Sequence, residues 1–542
     1  MPDSRNNAFE WSKEVKSKLR SVWGIRNFRL CQEGVINANM DGRDILCIMP
    51  TGGGKSLCYQ LPALLTPGTT IVVSPLISLM RDQVTHLQEA GVECIMLTGG
   101  LSKSKEKQLF ARLSGKGGTS DELCYVTPEK IAQNKEFGMV LDAMNRNGKL
   151  ARFVIDEAHC ASMLGHDHRP DYKKLSLLKH VYPMIPILAV TATLSRKVLP
   201  DLLKILVMPP HLTDGRAAKR TGTVFFTAPL YRPNLHYSVL PKPANAKAAI
   251  DAMAEWILQH HRGEAGIVYC YSKKDAEDVA DKIAEASKGK IETGWYHAEV
   301  PDAQKERIHE KWRNGEIHLV AATIAFGLGI DKQDTRYVIH HTLPKSIDGL
   351  YQESGRAGRD GDDADCVLFY RSQDITRLLA LTVAEQGSRE RVNEILRYAQ
   401  DLKTCRKLLF AKYFATTASL PGSGFDPNES EQPVPCEHCD NCLRSKDTIE
   451  DLDVTLEAWK IVKLANAIKD TKERFTFTQL ADIARGLKTE GVVLVDGEQP
   501  SGYVGADKKV RLNIHAICGG PALLTKEVCL RSSPATNVFD TV

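Results

Sequence analysis

Asp44-Ile45-Leu46-Cys47-Ile48-Met49-Pro50-Thr51-Gly52-Gly53-Gly54-Lys55-Ser56-Leu57-Cys58-Tyr59-Gln60 passes from an apolar run through a glycine-rich turn into a helical pattern. Glycines let a backbone wrap a phosphate with successive N–H groups, and a helix N-terminus behind the turn adds a favourable dipole. Thr51, Gly52, Gly53 and Gly54 form the expected cradle, with Lys55 reaching the β- and γ-phosphates and Ser56 holding Mg²⁺. The strict phosphate-loop spacing wants glycine where Met49 stands, so this is a relaxed variant. A strand before and a helix after such a turn imply an α/β fold with a parallel sheet.

Outward from that stretch the pattern continues. Thr70–Ser74, Glu93–Leu97, Leu123–Val126, Arg152–Ile155 and Ile187–Val190 read as further strands, with Leu76–Glu89 as a helix. From Val207 to Asn234 the chain is less regular and reads as a connector. The alternation then restarts, with strands at Gly266–Cys270, Glu292–His297, His318–Ala321, Tyr337–His341 and Cys366–Tyr370. Helices are expected at Asp275–Ala286 and Ala303–Asn314, which makes two α/β lobes in tandem. Beyond residue 373 helical patterns take over. The stretch from Ala415 to Pro435 reads as a loop, and an acidic linker at Asp447–Asp453 precedes a last segment.

Two further motifs suit nucleotide chemistry. Asp156-Glu157-Ala158-His159 follows a strand, where Asp156 is placed for Mg²⁺ and Glu157 for the attacking water. Tyr351-Gln352-Glu353-Ser354-Gly355-Arg356-Ala357-Gly358-Arg359-Asp360 offers two arginines three apart, which a helix would set on one face. They belong to the second lobe and Lys55 to the first, so a complete site requires the lobes to close.

The 542 residues are too many for one core, and a net charge of +4 does not by itself mark a nucleic-acid binder. No apolar run has the length of a membrane span, and Met1 to Glu10 lack the apolar segment of a secretory signal. Fourteen cysteines in such a chain are therefore not expected to form a disulfide framework. Cys47, Cys94 and Cys270 lie in apolar runs as small hydrophobes, whereas Cys436, Cys439 and Cys442 have the short spacing of structural zinc ligands.

Taken together, these segments resemble superfamily 2 helicases and, more narrowly, the RecQ family of DNA helicases. The resemblance rests on Phe28-Arg29…Gln32, Met49–Gln60, Ser74–Gln83, Thr127–Lys130, Asp156–Tyr172, Thr191-Ala192-Thr193, Ala325–Asp331 and Tyr351–Asp360. It implies two RecA-like lobes, then a helical zinc-binding module and a partial winged-helix-like segment, in a short eukaryotic type of chain. The implied divisions are 1–27 for an N-terminal segment, 28–215 and 225–372 for the lobes, 373–446 for the zinc module and 453–542 for the last segment.

The resemblance also implies roles. Gln32, helped by Arg29, would read adenine, and Asp331 in Phe326–Asp331 would touch ribose. Gln352, Arg356 and Arg359 would serve catalysis beside Lys55, Asp156 and Glu157. Thr191 and Thr193 would couple hydrolysis to closure, and Ser74–Leu79, Thr127–Lys130 and Thr323 would grip phosphates. Cys405 would be the fourth zinc ligand, with His438 a lesser candidate. The implied activity is ATP- and Mg²⁺-dependent 3′→5′ unwinding of DNA, single-stranded and tailed or branched, in the nucleus and in repair, recombination or replication.

One departure stands out. The family's aromatic-rich loop after the DEAH box carries Trp and Phe where this chain has Leu164 and His168. A stacked ring contributes ~1–3 kcal/mol per base, so weakened coupling of DNA to ATP hydrolysis is expected. That departure and a short last segment favour, as the alternative, a DNA-binding or scaffold ATPase with impaired unwinding.

Overall fold

The computed structural model describes residues 9–114, 123–162, 169–192, 194, 198–209, 212–214, 222–326, 332–383, 385, 387–414 and 434–449, with 455, 459 and 462. The expectations for Leu164, His168, Thr193 and Asp331, and those for the winged-helix-like segment, fall outside these residues.

Among the described residues, fourteen strands make two sheets. The first uses β1 (Ile45–Ile48), β2 (Thr69–Val73), β3 (Ile95–Leu97), β4 (Leu123–Val126), β5 (Leu150–Ile155), β6 (Ile187–Thr191), β7 (Leu212–Asp214) and β8 (Thr223–Thr227), in the order β3-β4-β2-β5-β6-β1-β8-β7. The second uses β9 (Leu235–Pro241), β10 (Ala265–Tyr269), β11 (Thr293–Tyr296), β12 (Leu319–Ala322), β13 (Thr335–His340) and β14 (Ala364–Tyr370), in the order β11-β12-β10-β13-β14-β9. Parallel strands covered on both faces need continuous apolar runs rather than alternation. Ile45, Leu46, Cys47 and Ile48 of β1 are accordingly all buried, paired in parallel with β6 on one side and β8 on the other.

The stretch read as an irregular connector contains β7 and β8, which extend the first sheet. Strand β8 lies across the expected boundary at 225, and its Phe226 packs in the same core as Val35, Cys47 and Val190. The helix Ser12–Trp23 in the expected N-terminal segment buries Val15 and Leu19 against Ile36, Leu57 and Leu61 of the first lobe. In the second lobe the helix Lys273–Ala286 starts at a capping box. Ser272 and Asp275 satisfy each other's backbone N–H groups there, and Ala276, Val279, Ala280 and Ile283 turn inward.

The chain divides into two compact units. One takes in both sheets and residues 404–442, and the other includes residues 370–403. In the second unit the helices Asp374–Thr382 and Ser388–Gln400 pack on one another, and Gln400 donates to the Tyr370 hydroxyl at 2.8 Å. Among the described residues no helix is long and apolar enough to cross a membrane.

Candidate nucleotide site and metal centre

Ligands of open α/β sheets bind beyond the carboxyl ends of the strands. Because β5, β6 and β1 are neighbours, Asp156-Glu157, Thr191 and the glycine loop leave the sheet side by side. Gly52 and Gly54 hold φ of 79° and 78°, which disfavours any side chain there. A Cβ on Gly53 would come within 2.7 Å of Met49 and 2.9 Å of the Pro50 carbonyl. Lys55 Nζ donates to the carbonyls of Met49 and Pro50 at 3.3 and 3.4 Å, which keeps the ammonium folded over its own loop. Ser56 precedes the helix Leu57–Ala63 without using its hydroxyl as a cap. Gln32 accepts from Arg29 N at 2.8 Å and donates to the carbonyls of Gly53 and Gly54 at 3.3 and 3.1 Å. Its amide therefore ties the Arg29 turn to the phosphate loop.

Asp156 and Glu157 are both buried. Burial first, and then the neighbouring Glu157 charge, push the Asp156 carboxyl up to about 7, against the opposing pull of Lys55. Glu157 sits at φ 46°, a left-handed conformation that costs a non-glycine residue of order 1–3 kcal/mol. Its Oε2 lies 3.4 Å from His159 Nδ1, which makes its hydrogen bond to Thr191 Oγ1 at 2.8 Å. Two crowded, buried carboxyls are what a divalent cation at this edge would offset. The His159–Thr191 bond joins the ends of two adjacent strands.

The arginines are arranged differently from the helical expectation. The helix Ile347–Ser354 carries Gln352 and stops before both of them. Arg356 and Arg359 lie on the turn that follows, within which Gly358 adopts φ 53° and leaves the helical path. Arg356 is buried beside the Tyr269 hydroxyl, with its Nε unbonded among the described residues. Across the cleft, a Cβ on Gly52 would touch the Arg359 side chain at 3.5 Å, and one on Gly355 would meet Thr51 at 3.2 Å. The structure thus brings the phosphate loop and the arginine turn into contact. Arg81 and Glu306, one from each lobe, add an exposed ion pair at 2.6 Å.

The residues expected to grip phosphates sit as follows. Ser74 is buried at 1% exposure and points away from solvent. Lys130 is ion-paired with Glu106, and both side chains are largely buried, so its ammonium braces two helices rather than facing solvent. Thr127 caps the helix Pro128–Gln133. Thr323 N donates to the Tyr296 carbonyl at 3.2 Å, which fixes the turn after β12. Arg169 Nη1 donates to the Pro75 carbonyl at 2.7 Å, tethering the residue after 163–168 to the start of the helix Ile77–Glu89. Arg232 and Asn234, which no sequence motif singles out, bond the arginine turn. Only the Arg-Pro-Asn composition of a supposed connector could have flagged them.

The sulfurs of Cys405, Cys436, Cys439 and Cys442 all lie within 4.8 Å of one another. Cys405–Cys436, Cys405–Cys439 and Cys436–Cys442 are 3.5, 3.9 and 3.9 Å apart. A tetrahedral ion with Zn–S of about 2.3 Å has S–S edges of about 3.8 Å, so the cluster fits zinc. Backbone N–H groups of Arg406 and Cys436 donate to Cys439 and Cys405 sulfurs, as suits thiolates. His438 is not one of the set, since its Nε2 meets the Tyr231 hydroxyl at 2.9 Å. The Arg406 guanidinium, fully buried, grips Asp440 at 2.8 and 2.9 Å, and Asp440 also accepts from Val239 N at 3.0 Å.

Comparison with known proteins agrees with this geometry. Residues 29–201 match the DEAD/DEAH box helicase family, 248–361 the helicase conserved C-terminal domain and 372–443 the RecQ zinc-binding family. The rat ATP-dependent DNA helicase Q1 is 39% identical over 478 residues, covering 88% of this chain and 72% of its own. The Arabidopsis thaliana ATP-dependent DNA helicase Q-like 2 is 39% identical over 481 residues, and the chain spans 64% of that relative's length. Among solved structures, the DNA-bound DUF1998 helicase MrfA superposes with a TM-score of 0.53 at 17% identity, covering 74% of this chain and 57% of its own, which shows the shared fold.

Proposed function

This chain belongs to the RecQ family of ATP-dependent DNA helicases, and we propose that it couples Mg-ATP hydrolysis to 3′→5′ movement on single-stranded DNA and to the opening of tailed or branched duplexes. Acting on DNA in repair, recombination or replication, it works in the nucleus. The observation that carries the reading is Arg359 lying against Gly52 of the opposite lobe.

Lys55 leaves the Met49 and Pro50 carbonyls for the β- and γ-phosphates when ATP enters, a short move on a flexible stem. Glu157 orients the attacking water, and Gln352, Arg356 and Arg359 place positive charge and donors on the departing phosphoryl group. Gln32 and Arg29 serve the adenine, for which the Gln32 amide exchanges its loop bonds for base bonds. Mg²⁺, held by Ser56 and Asp156, would neutralise charge on the phosphates. Release of phosphate removes the charge that Lys55 and the arginines share, which lets the lobes move relative to one another and the grip on the strand shift. The working division keeps 28–215 and 225–372 for the lobes except that Thr223–Thr227 goes to the first, and 373–446 for the zinc module.

ATP turnover is measured without nucleic acid, with single-stranded DNA and with RNA, beside a Lys55→Ala control. Stimulation by DNA, a weaker response to RNA and a dead control are expected, together with unwinding of 3′-tailed over 5′-tailed duplexes. A Lys55→Ala variant with full activity would sink the reading. Absent DNA stimulation that Leu164→Trp restores would favour the scaffold alternative.

A further inference from the structure

The turn that carries both arginines is neither helix nor strand, so its backbone groups need partners from elsewhere. Its amides find main-chain acceptors: Ala357 N donates to Ser354 O at 3.0 Å, Gly358 N to Thr335 O at 2.8 Å and Asp360 N to Gln333 O at 3.2 Å. Its carbonyls are satisfied by two side chains of one tripeptide. Arg232 donates to Gly355 O at 2.9 Å, to Ala357 O at 2.8 Å and to Gly358 O. Asn234 Nδ2 donates to Gly358 O at 2.9 Å and to Asp362 O at 2.7 Å. The fit is close, because a Cβ on Gly358 would come within 2.5 Å of Asn234 Nδ2 and 2.6 Å of Asp362 O.

We propose that Arg232 and Asn234 are positioning residues for ATP hydrolysis: they fix the carbonyl side of the arginine turn, and so the direction in which Arg356 and Arg359 point. The inference rests on the reading of those arginines as γ-phosphate contacts. A guanidinium is needed because its planar fork spans three carbonyls at once, which a single ammonium on a flexible stem does not do. Three charge-assisted bonds from one rigid group leave the turn little freedom, and small displacements of a catalytic group cost large factors in rate. The tripeptide lies between the two sheets, directly before β9, so anything that moves this segment moves the arginines with it.

The test is steady-state ATP hydrolysis by full-length Arg232→Lys and Asn234→Ser variants with saturating single-stranded DNA, alongside ADP affinity, zinc content and thermal stability. Positioning predicts that kcat falls by about tenfold in Arg232→Lys while KM for ATP and ADP affinity stay within about twofold. It also predicts non-additivity. In an Arg359→Lys background the further change Arg232→Lys should cost less than about twofold, because the group it aims is already compromised. Methylguanidine added to an Arg232→Gly variant should recover part of kcat, a rescue that general destabilisation would not show.

Wild-type kcat in both Arg232→Lys and Asn234→Ser overturns the proposal, as does full additivity with Arg359→Lys. Should Arg232→Lys lose zinc or unfold, Asn234→Ser decides by the same kinetic criteria. If Arg356→Ala and Arg359→Ala themselves hydrolyse ATP normally, it is the assignment of the arginines that fails. If those two are inactive and Arg232→Lys is not impaired, only the positioning role fails.

Discussion

At Asp156 two demands conflict. The carboxylate we propose for Mg²⁺ is buried beside a second carboxylate, and the protein without the cation bears the cost. Its carboxyl is raised to about 7, so near neutral pH part of the folded population must protonate a group that stays ionised in the unfolded chain. A folded pKa above the unfolded one means stability is lost as pH rises beyond the ordinary carboxyl range. Asp156→Asn removes that charge while keeping the shape. In the absence of nucleotide and Mg²⁺, the variant should gain stability on the order of 1 kcal/mol at pH 8, with hydrolysis abolished. Urea denaturation at pH 8 and pH 5.5 checks it, and the gain should shrink at the lower pH. Equal stabilisation at both would place its origin elsewhere. The carboxylate pair itself was legible from the DEAH spelling after an apolar strand. The left-handed φ of Glu157 was not, because nothing local in the sequence requires it.

Among the elements, what could be read was whatever the hydrophobic period decides alone. The buried strands β1, β2, β4, β5 and β6 are continuous apolar runs, and their places agree with the sequence to within about two residues, the usual scatter of element boundaries. The connector hid two strands because Thr223–Thr227 is short and flanked by basic and glycine residues, so its register on β1 comes from tertiary pairing. At the arginine stretch the spacing alone left the helix conditional: the helix ends at Ser354, and beyond it Gly358 takes φ 53° and Arg232 bonds the turn. Phe226 tests the strand assignment. Its ring lies in the first core, and a Cβ on Gly34 would come within 2.7 Å of it. Phe226→Ala should destabilise the first lobe by about 3 kcal/mol, read as a lower denaturant midpoint at unchanged slope. A loss below about 0.5 kcal/mol, typical of a surface position, would return 223–227 to the status of a linker.

Across the whole molecule, the zinc centre and the arginine turn share a support. The helix Arg406–Phe414 follows the ligand Cys405 directly and lays Phe410 and Phe414 against the Tyr351 ring, with centroids 5.8 and 5.0 Å away. Tyr413 donates to Asp348 in the first turn of the helix that leads to Arg356. Tyr351 in turn donates from its hydroxyl to the Leu230 carbonyl at 2.5 Å, two residues before Arg232. The four-cysteine cluster therefore sits at the root of a packed path that ends on the helix leading to Arg356. A structural zinc contributes folding energy directly, so its loss first loosens the helix that starts at Cys405. Cys439→Ser should lower zinc content and reduce kcat for ATP hydrolysis by about tenfold or more, while ADP affinity, set by the first lobe, changes by less than about threefold. Zinc measured by metal analysis, turnover by phosphate release and ADP binding by calorimetry would separate the two lobes' responses. Equal loss of turnover and of ADP affinity would mean that the metal holds the chain together as a whole. Loss of turnover alone would show that the path through Tyr351 reaches the arginines.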